Sequence, residues 1–175
     1  MRGITLIGMA GSGKSAVGKI MAQTLGWNFV DLDKLILQTQ GISHHDYMKM
    51  NGGQALSALE ERLTLGLDFK DTIFAPPGSM VYAQKAMEKI KRDSTAVYLK
   101  TTPEIVEKRL GERLYQNGII GLEEKGLAKL MAERSVLYEK YADYTFQSGE
   151  QTKEEMAKIV ISGLKDQGLK LYEVS

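Results

Sequence analysis

The 175-residue sequence contains no cysteine, so disulfides and thiolate metal sites are excluded outright. That absence neither requires nor rules out an oxidising compartment. No apolar run approaches the roughly 18–20 residues that a membrane-crossing helix needs. Neither sign of charge dominates: 23 basic residues face 22 acidic ones, a formal net of +1, which leaves no electrostatic case for nucleic acid as a partner. The first residues lack a basic segment followed by an apolar stretch, so no signal peptide is visible. A soluble cytoplasmic protein, monomeric rather than oligomeric and without membrane or nucleic-acid partners, is the expectation. Repeats, low-complexity tracts and Pro/Gly/Ser-rich linkers are missing too. The length suits a single domain over 1–175 with a buried core.

Against these absences stands one stretch. Ile4, Thr5, Leu6 and Ile7 form a short β-rich apolar run, followed by Gly8-Met9-Ala10-Gly11-Ser12-Gly13-Lys14-Ser15. This matches G-x-x-x-x-G-K-[ST], the P-loop or Walker A motif. From Ala16 to Leu25, the residues Val17, Ile20, Met21 and Leu25 fall on one helical face. The motif therefore lies between a buried strand and a helix start, as its mechanism requires. Its glycines let successive N–H groups turn inward on phosphate oxygens, and the following helix adds the positive end of its dipole. Lys14 is placed to reach the β- and γ-phosphates and the Ser15 hydroxyl to ligate Mg²⁺. ATP and Mg²⁺ are the expected cofactors, held by Gly11, Ser12, Gly13, Lys14, Ser15 and Ala16.

Downstream, strand and helix patterns alternate. Trp27 to Val30 reads as a second strand ending in Asp31-Leu32-Asp33, whose period-two spacing puts both carboxylates on one side of an extended segment. A helix then stops at Gly41. A short helix over Ser43–Lys49, capped by Ser43 and Asp46, is broken at Asn51-Gly52-Gly53. Further helices are expected over Gln54–Phe69, Tyr82–Lys91, Thr102–Leu114, Leu122–Tyr141 and Lys153–Leu164. Strands are expected at Thr72–Ala75, Thr95–Leu99 and Tyr144–Phe146. The adjacent His44 and His45 make a poor metal pair and read as an exposed helix start. The pattern is α/β: a parallel sheet flanked by helices, with sites at the strands' C-terminal ends.

These residues resemble the shikimate kinase family of small P-loop kinases over nearly the whole length. The resemblance runs through GMAGSGKS, the following VGKIMAQTLGWNFVDLD, the strand TAVYLKTT, RSVLYEKYAD and the closing helix. It implies transfer of the ATP γ-phosphate to a hydroxyl of a small metabolite, nominally shikimate. Asp31 would then support Mg²⁺ and Asp33 would bind and activate the acceptor hydroxyl. Arg134, in R-x-x-L-Y, would hold the acceptor carboxylate, Gly78 would contact the acceptor, and Arg109 would lie near the adenine. A substrate-binding insertion over about 32–63 and a lid over about 112–121 are implied as well.

The departures fall on the acceptor side. Leu56-Ser57 stands where the family has Phe-Arg, and Pro76-Pro77-Gly78 replaces a triple-glycine turn. Proline has no N–H to donate. The lid stretch reads Asn117-Gly118-Ile119-Ile120 in place of Arg-Pro-Leu-Leu, with Arg113 the nearest upstream arginine. Losing one arginine–carboxylate contact costs about 2–5 kcal/mol, roughly 30- to several-thousand-fold in affinity. Shikimate is therefore expected to be a poor acceptor or none. The alternative reading is a degenerate kinase acting as a nucleotide-binding regulatory module.

Overall fold

The computed structural model describes residues 2–116, 119–172 and 174. Five strands, β1 (Gly3–Ile7), β2 (Asn28–Asp31), β3 (Thr72–Ala75), β4 (Ser94–Lys100) and β5 (Tyr144–Gln147), pair in parallel in the order β2-β3-β1-β4-β5. The chain leaves β1 toward β2 on one side and later continues to β4 on the other. The C-terminal end of β1 is thus the topological switch point, where open α/β sheets bind their ligands.

Both faces of the sheet are covered, as in parallel sheets generally. On one face Ile4, Leu6, Ile73, Val97 and Leu99 pack with α1 (Lys14–Leu25) and α9 (Lys153–Asp166). On the other, Ile7, Phe74, Ala96 and Tyr98 meet α2 (Leu32–Gln40), α3 (His44–Leu65), α4 (Gln84–Asp93) and Tyr138 of α8 (Leu127–Tyr141). Successive strand residues alternate between the two cores, the period-two signature of extended chain. A third apolar cluster joins Met9, Val106, Leu114, Leu122 and Leu130 beside the P-loop.

Several elements differ in extent from the expectations. β2 ends at Asp31, which caps α2 by accepting bonds from the N–H groups of Asp33 and Lys34. Asp33 therefore sits on the first turn of a helix, not on extended chain. Ser43 caps α3 through the Asp46 N–H, as the sequence predicts. That helix stops at Gly66 instead of reaching Phe69. Tyr82 belongs to a 3₁₀ turn, Gly78–Tyr82, that precedes α4. The helix opened by Thr102 divides into α5 (Pro103–Leu110) and α6 (Arg113–Gln116), and the next into α7 (Leu122–Lys125) and α8, with breaks at Gly111 and Gly126. Within the expected lid, Asn117 and Gly118 lie outside the described residues.

Gly52 is the consequential break. Its φ of 82° and ψ of 163° lie where side-chain-bearing residues are strained, and the chain reverses there. A straight helix would carry residue 60 about 24 Å from residue 44 at 1.5 Å per residue. Instead the side chains of His44 and Glu60 are 3.1 Å apart.

Candidate active site

One half of the site is the P-loop, the turn from β1 into α1. Gly8, Gly11 and Gly13 all have positive φ, which curls this backbone into a nest. Lys14 is buried and donates to the carbonyls of Gly8 (2.8 Å) and Met9 (2.9 Å). Burial pulls its ammonium down to about 8; Asp33 and Asp31 pull it upward and Arg134 pushes it further down. Ser12 Oγ is buried and has no hydrogen-bond partner among the described groups. A lysine turned back on its own loop and an orphaned hydroxyl fit a cradle shaped for an anion. Asp31 spends Oδ1 on its helix cap. Ser15 and Asp31 together offer hard oxygen donors of the kind Mg²⁺ takes beside phosphate.

Arg109 braces this loop from α5. Its Nη1 donates to the Gly11 carbonyl (2.9 Å) and Ser148 Oγ (3.1 Å), and its Nη2 donates to the Gly149 carbonyl. Ser148 in turn donates to the Ser12 carbonyl at 2.8 Å. The guanidinium thus ties the P-loop to the segment between β5 and α9.

The other half of the cavity is built from α2, the start of α3, the turn after β3, and α8. Asp33 retains exposure on the cavity, yet desolvation raises its carboxyl, with Asp31 adding to the rise and His44 and Lys14 opposing it. Arg134 is 1% exposed. Its Nη2 donates to the Ile120 carbonyl (2.7 Å), its Nε to Tyr82 Oη (3.4 Å), and its guanidinium lies 5.4 Å from the Tyr82 ring centroid. It forms no ion pair among the described residues. A buried cation in that state is a ready partner for an anion. Gly78 separates the halves: a Cβ there would lie 3.2 Å from both Arg134 Nη1 and the Gly8 carbonyl oxygen.

One cavity of about 540 Å³ joins the halves, and Gly11, Lys14, Ser15, Asp31, Asp33, Gly78 and Arg134 all line it. Ser12, Gly13, Ala16 and Arg109 stand outside that lining, in or against the loop. Arg62 is exposed, in keeping with a solvated face. Ser57 opens instead on a neighbouring cavity of about 230 Å³ with Glu60, Ser79 and Tyr82.

The histidines correct the sequence reading. His44 is not an exposed helix start: it lines the main cavity and pairs with buried Glu60 at 3.1 Å. Burial pulls its imidazole down, but the Glu60 hydrogen bond and the charges of Asp33 and Glu60 outweigh that and leave it raised. Glu60 is raised by desolvation, against the His44 hydrogen bond and charge. His45 lines the cavity too, with a buried Nδ1 that has no hydrogen-bond partner among the described residues. The only local hint was Gly52-Gly53, which marks a reversal without saying what it brings together.

A phosphate-binding loop at the switch point of a parallel sheet, opening on a cavity with carboxylates and a buried arginine, defines the class: a P-loop kinase for a small molecule. Comparison with known proteins narrows it. The family model described as Shikimate kinase matches residues 10–165, and the chain belongs to the shikimate kinase family. A curated shikimate kinase of Caldanaerobacter subterraneus subsp. tengcongensis is 30% identical over 164 residues, covering 92% of this chain and 95% of that protein. One from Thermodesulfovibrio yellowstonii is also 30% identical, over 92% of this chain and 94% of that protein. In fold, the chain is similar to a shikimate kinase from Acinetobacter baumannii solved in complex with shikimate. The TM-score is 0.88 at 24% identity, covering 97% of this chain and 96% of that one. The five-stranded sheet is that of P-loop kinases, and the family is one of ATP-dependent small-molecule kinases. Among the described residues no helix is long and apolar enough to cross a membrane.

Proposed function

We propose that the protein transfers the γ-phosphoryl group of ATP to a hydroxyl of a small metabolite that also carries a carboxylate. The observation that carries this is Arg134, a buried arginine without an ion-pair partner among the described residues, on the same cavity as the P-loop and Asp33. Lys14 and the amides from Gly11 to Ala16 would hold the phosphates, and Arg109 would steady the loop near the adenine end. Ser15 and Asp31 would hold Mg²⁺, which when bound supplies charge neutralisation at the phosphate oxygens. Asp33 would orient the acceptor hydroxyl and take its proton as the new O–P bond forms and ADP departs. Its raised carboxyl, nearer neutrality than an ordinary aspartate, suits a base. Arg134 would clamp the acceptor carboxylate, with Gly78 leaving room for it.

In this reading, residues 32–63 form the acceptor-binding insertion and 112–121 a lid, and the protein acts as a monomer. Shikimate is the nominal acceptor and a weak one. Pro76 and Pro77 line the cavity without an N–H to offer, and Ser57 brings no charge. Steady-state ADP release with Mg·ATP and a panel of hydroxylated acids and neutral polyols tests the proposal. Acceleration by acids supports it. ATP binding with no response to any acceptor would favour the regulatory alternative.

A further inference from the structure

Across the cavity from the P-loop lies a second side chain able to carry positive charge, His44, that phosphate chemistry does not use. His44 opens α3, and the reversal at Gly52 brings it onto Glu60. The side chain of Glu60 is 2% exposed and that of His44 is 16% exposed, so the imidazole is the accessible member of the pair and lines the cavity. An ionised carboxylate this sealed is costly unless paired, and the pairing holds the imidazole in place and favours its protonated form. The N-terminal end of α3 opposes a cation at His44, an effect weaker than a charged hydrogen bond. The charged groups around it are Glu60 on its own helix, Asp31, Asp33 and Lys34 at the β2–α2 junction, Lys14 of the P-loop and Arg134 of α8. Ser57, three residues before Glu60 on the same helix face, supplies no charge to that carboxylate.

We propose that His44, held by Glu60, is the second cationic contact for the acceptor and, with Arg134, makes the site select hydroxy acids over neutral polyols. This rests on the reading that the acceptor carries a carboxylate. A consequence follows for pH. The imidazolium binds an anion and the neutral ring does so poorly, so acid affinity is full where His44 is protonated while the acid and Glu60 are still ionised. It falls as pH rises through the His44 pKa, which lies above the ordinary 6.5.

The test uses the full chain, with shikimate and its methyl ester as probes, further hydroxy acids as a panel, and two readouts: steady-state phosphorylation and calorimetric binding. His44→Gln should raise both KM and Kd for shikimate about ten- to a hundredfold, the weight of a charged hydrogen bond, and leave the KM for ATP and the ester's constants unchanged. His44→Arg should restore acid binding and weaken the fall in affinity above the ordinary imidazole pKa of 6.5, leaving whatever dependence Lys14 imposes. Unchanged acid binding in His44→Gln overturns the proposal. So does an equal loss for acid and ester, or a loss that His44→Arg fails to repair, since either marks a merely structural role. Acid binding that His44→Gln weakens, without turnover in the unmodified protein, sustains this inference and overturns the phosphotransfer reading. Binding of no hydroxy acid overturns both.

Discussion

Replacing Gly78 with alanine puts a methyl group where the two halves of the cavity meet. Its Cβ would lie 3.0 Å from the Tyr138 hydroxyl, 3.2 Å from Arg134 Nη1 and 3.2 Å from the Gly8 carbonyl oxygen. Ordinary contact for a Cβ begins near 3.4 Å, so all three neighbours must retreat by a few tenths of an ångström. Gly78 does not have positive φ, so alanine suits its backbone and the effect is steric. The neighbours have little freedom. Tyr138 and Arg134 are each 1% exposed, Tyr138 donates to the Gly78 carbonyl at 2.7 Å, and the Gly8 carbonyl accepts from Lys14. Overpacking of this kind costs about 1–3 kcal/mol. At about 2–4 °C per kcal/mol for a domain of this size, Tm should fall by roughly 2–12 °C. Displacing Arg134 should also raise the acceptor KM by more than the KM for ATP. Thermal unfolding followed by circular dichroism, with steady-state kinetics on the same preparation, measures both. A Tm within about 1 °C of the parent together with an unchanged acceptor KM would refute the packing described.

Three further predictions concern the machinery and its frame. Lys14→Ala should lower acceptor-dependent turnover by at least about a hundredfold in a folded protein; near-native activity would mean that the phosphate site lies elsewhere. Asp33→Asn should lower kcat and leave nucleotide affinity nearly unchanged, whereas Asp31→Asn should raise the Mg²⁺ concentration required. A Mg²⁺ titration that shows the same shift for both would remove that division of labour. Gly52→Ala meets no atom within 4 Å, so its whole effect is backbone strain of about 1–3 kcal/mol. It should lower Tm by roughly 2–12 °C and weaken acid binding as the two segments of α3 separate; an unaltered Tm would show that the reversal does not depend on glycine.

Most of the fold was legible because its signals are local. The P-loop is one contiguous stretch whose glycines, lysine and serine each have a mechanical role. Ser43 with Asp46 announces a helix start by capping chemistry alone. Boundaries failed where one residue decides. Gly66 ends α3 three residues before Phe69, and Gly111 and Gly126 each divide a pattern that reads as one helix. Asp31 capping α2 moves Asp33 from strand to helix, yet both still reach the cavity. Contacts distant in sequence were the illegible part. The pairing of His44 with Glu60 across sixteen residues needs the reversal at Gly52. The bracing of Gly11 by Arg109 depends on how α5 packs beside the P-loop, and neither leaves a periodic trace.

Steady-state phosphorylation of shikimate by the unmodified protein with Mg·ATP bears most directly on the central claim, that this cavity moves phosphate to a hydroxy acid it grips through Arg134 and His44 without the donors of a dedicated arginine and glycine turn. The account predicts shikimate-dependent ADP release with a Michaelis constant above about 1 mM, the upper end of the usual range. Efficient turnover with a sub-millimolar constant, or ADP release that neither shikimate nor any other hydroxy acid accelerates, would contradict it.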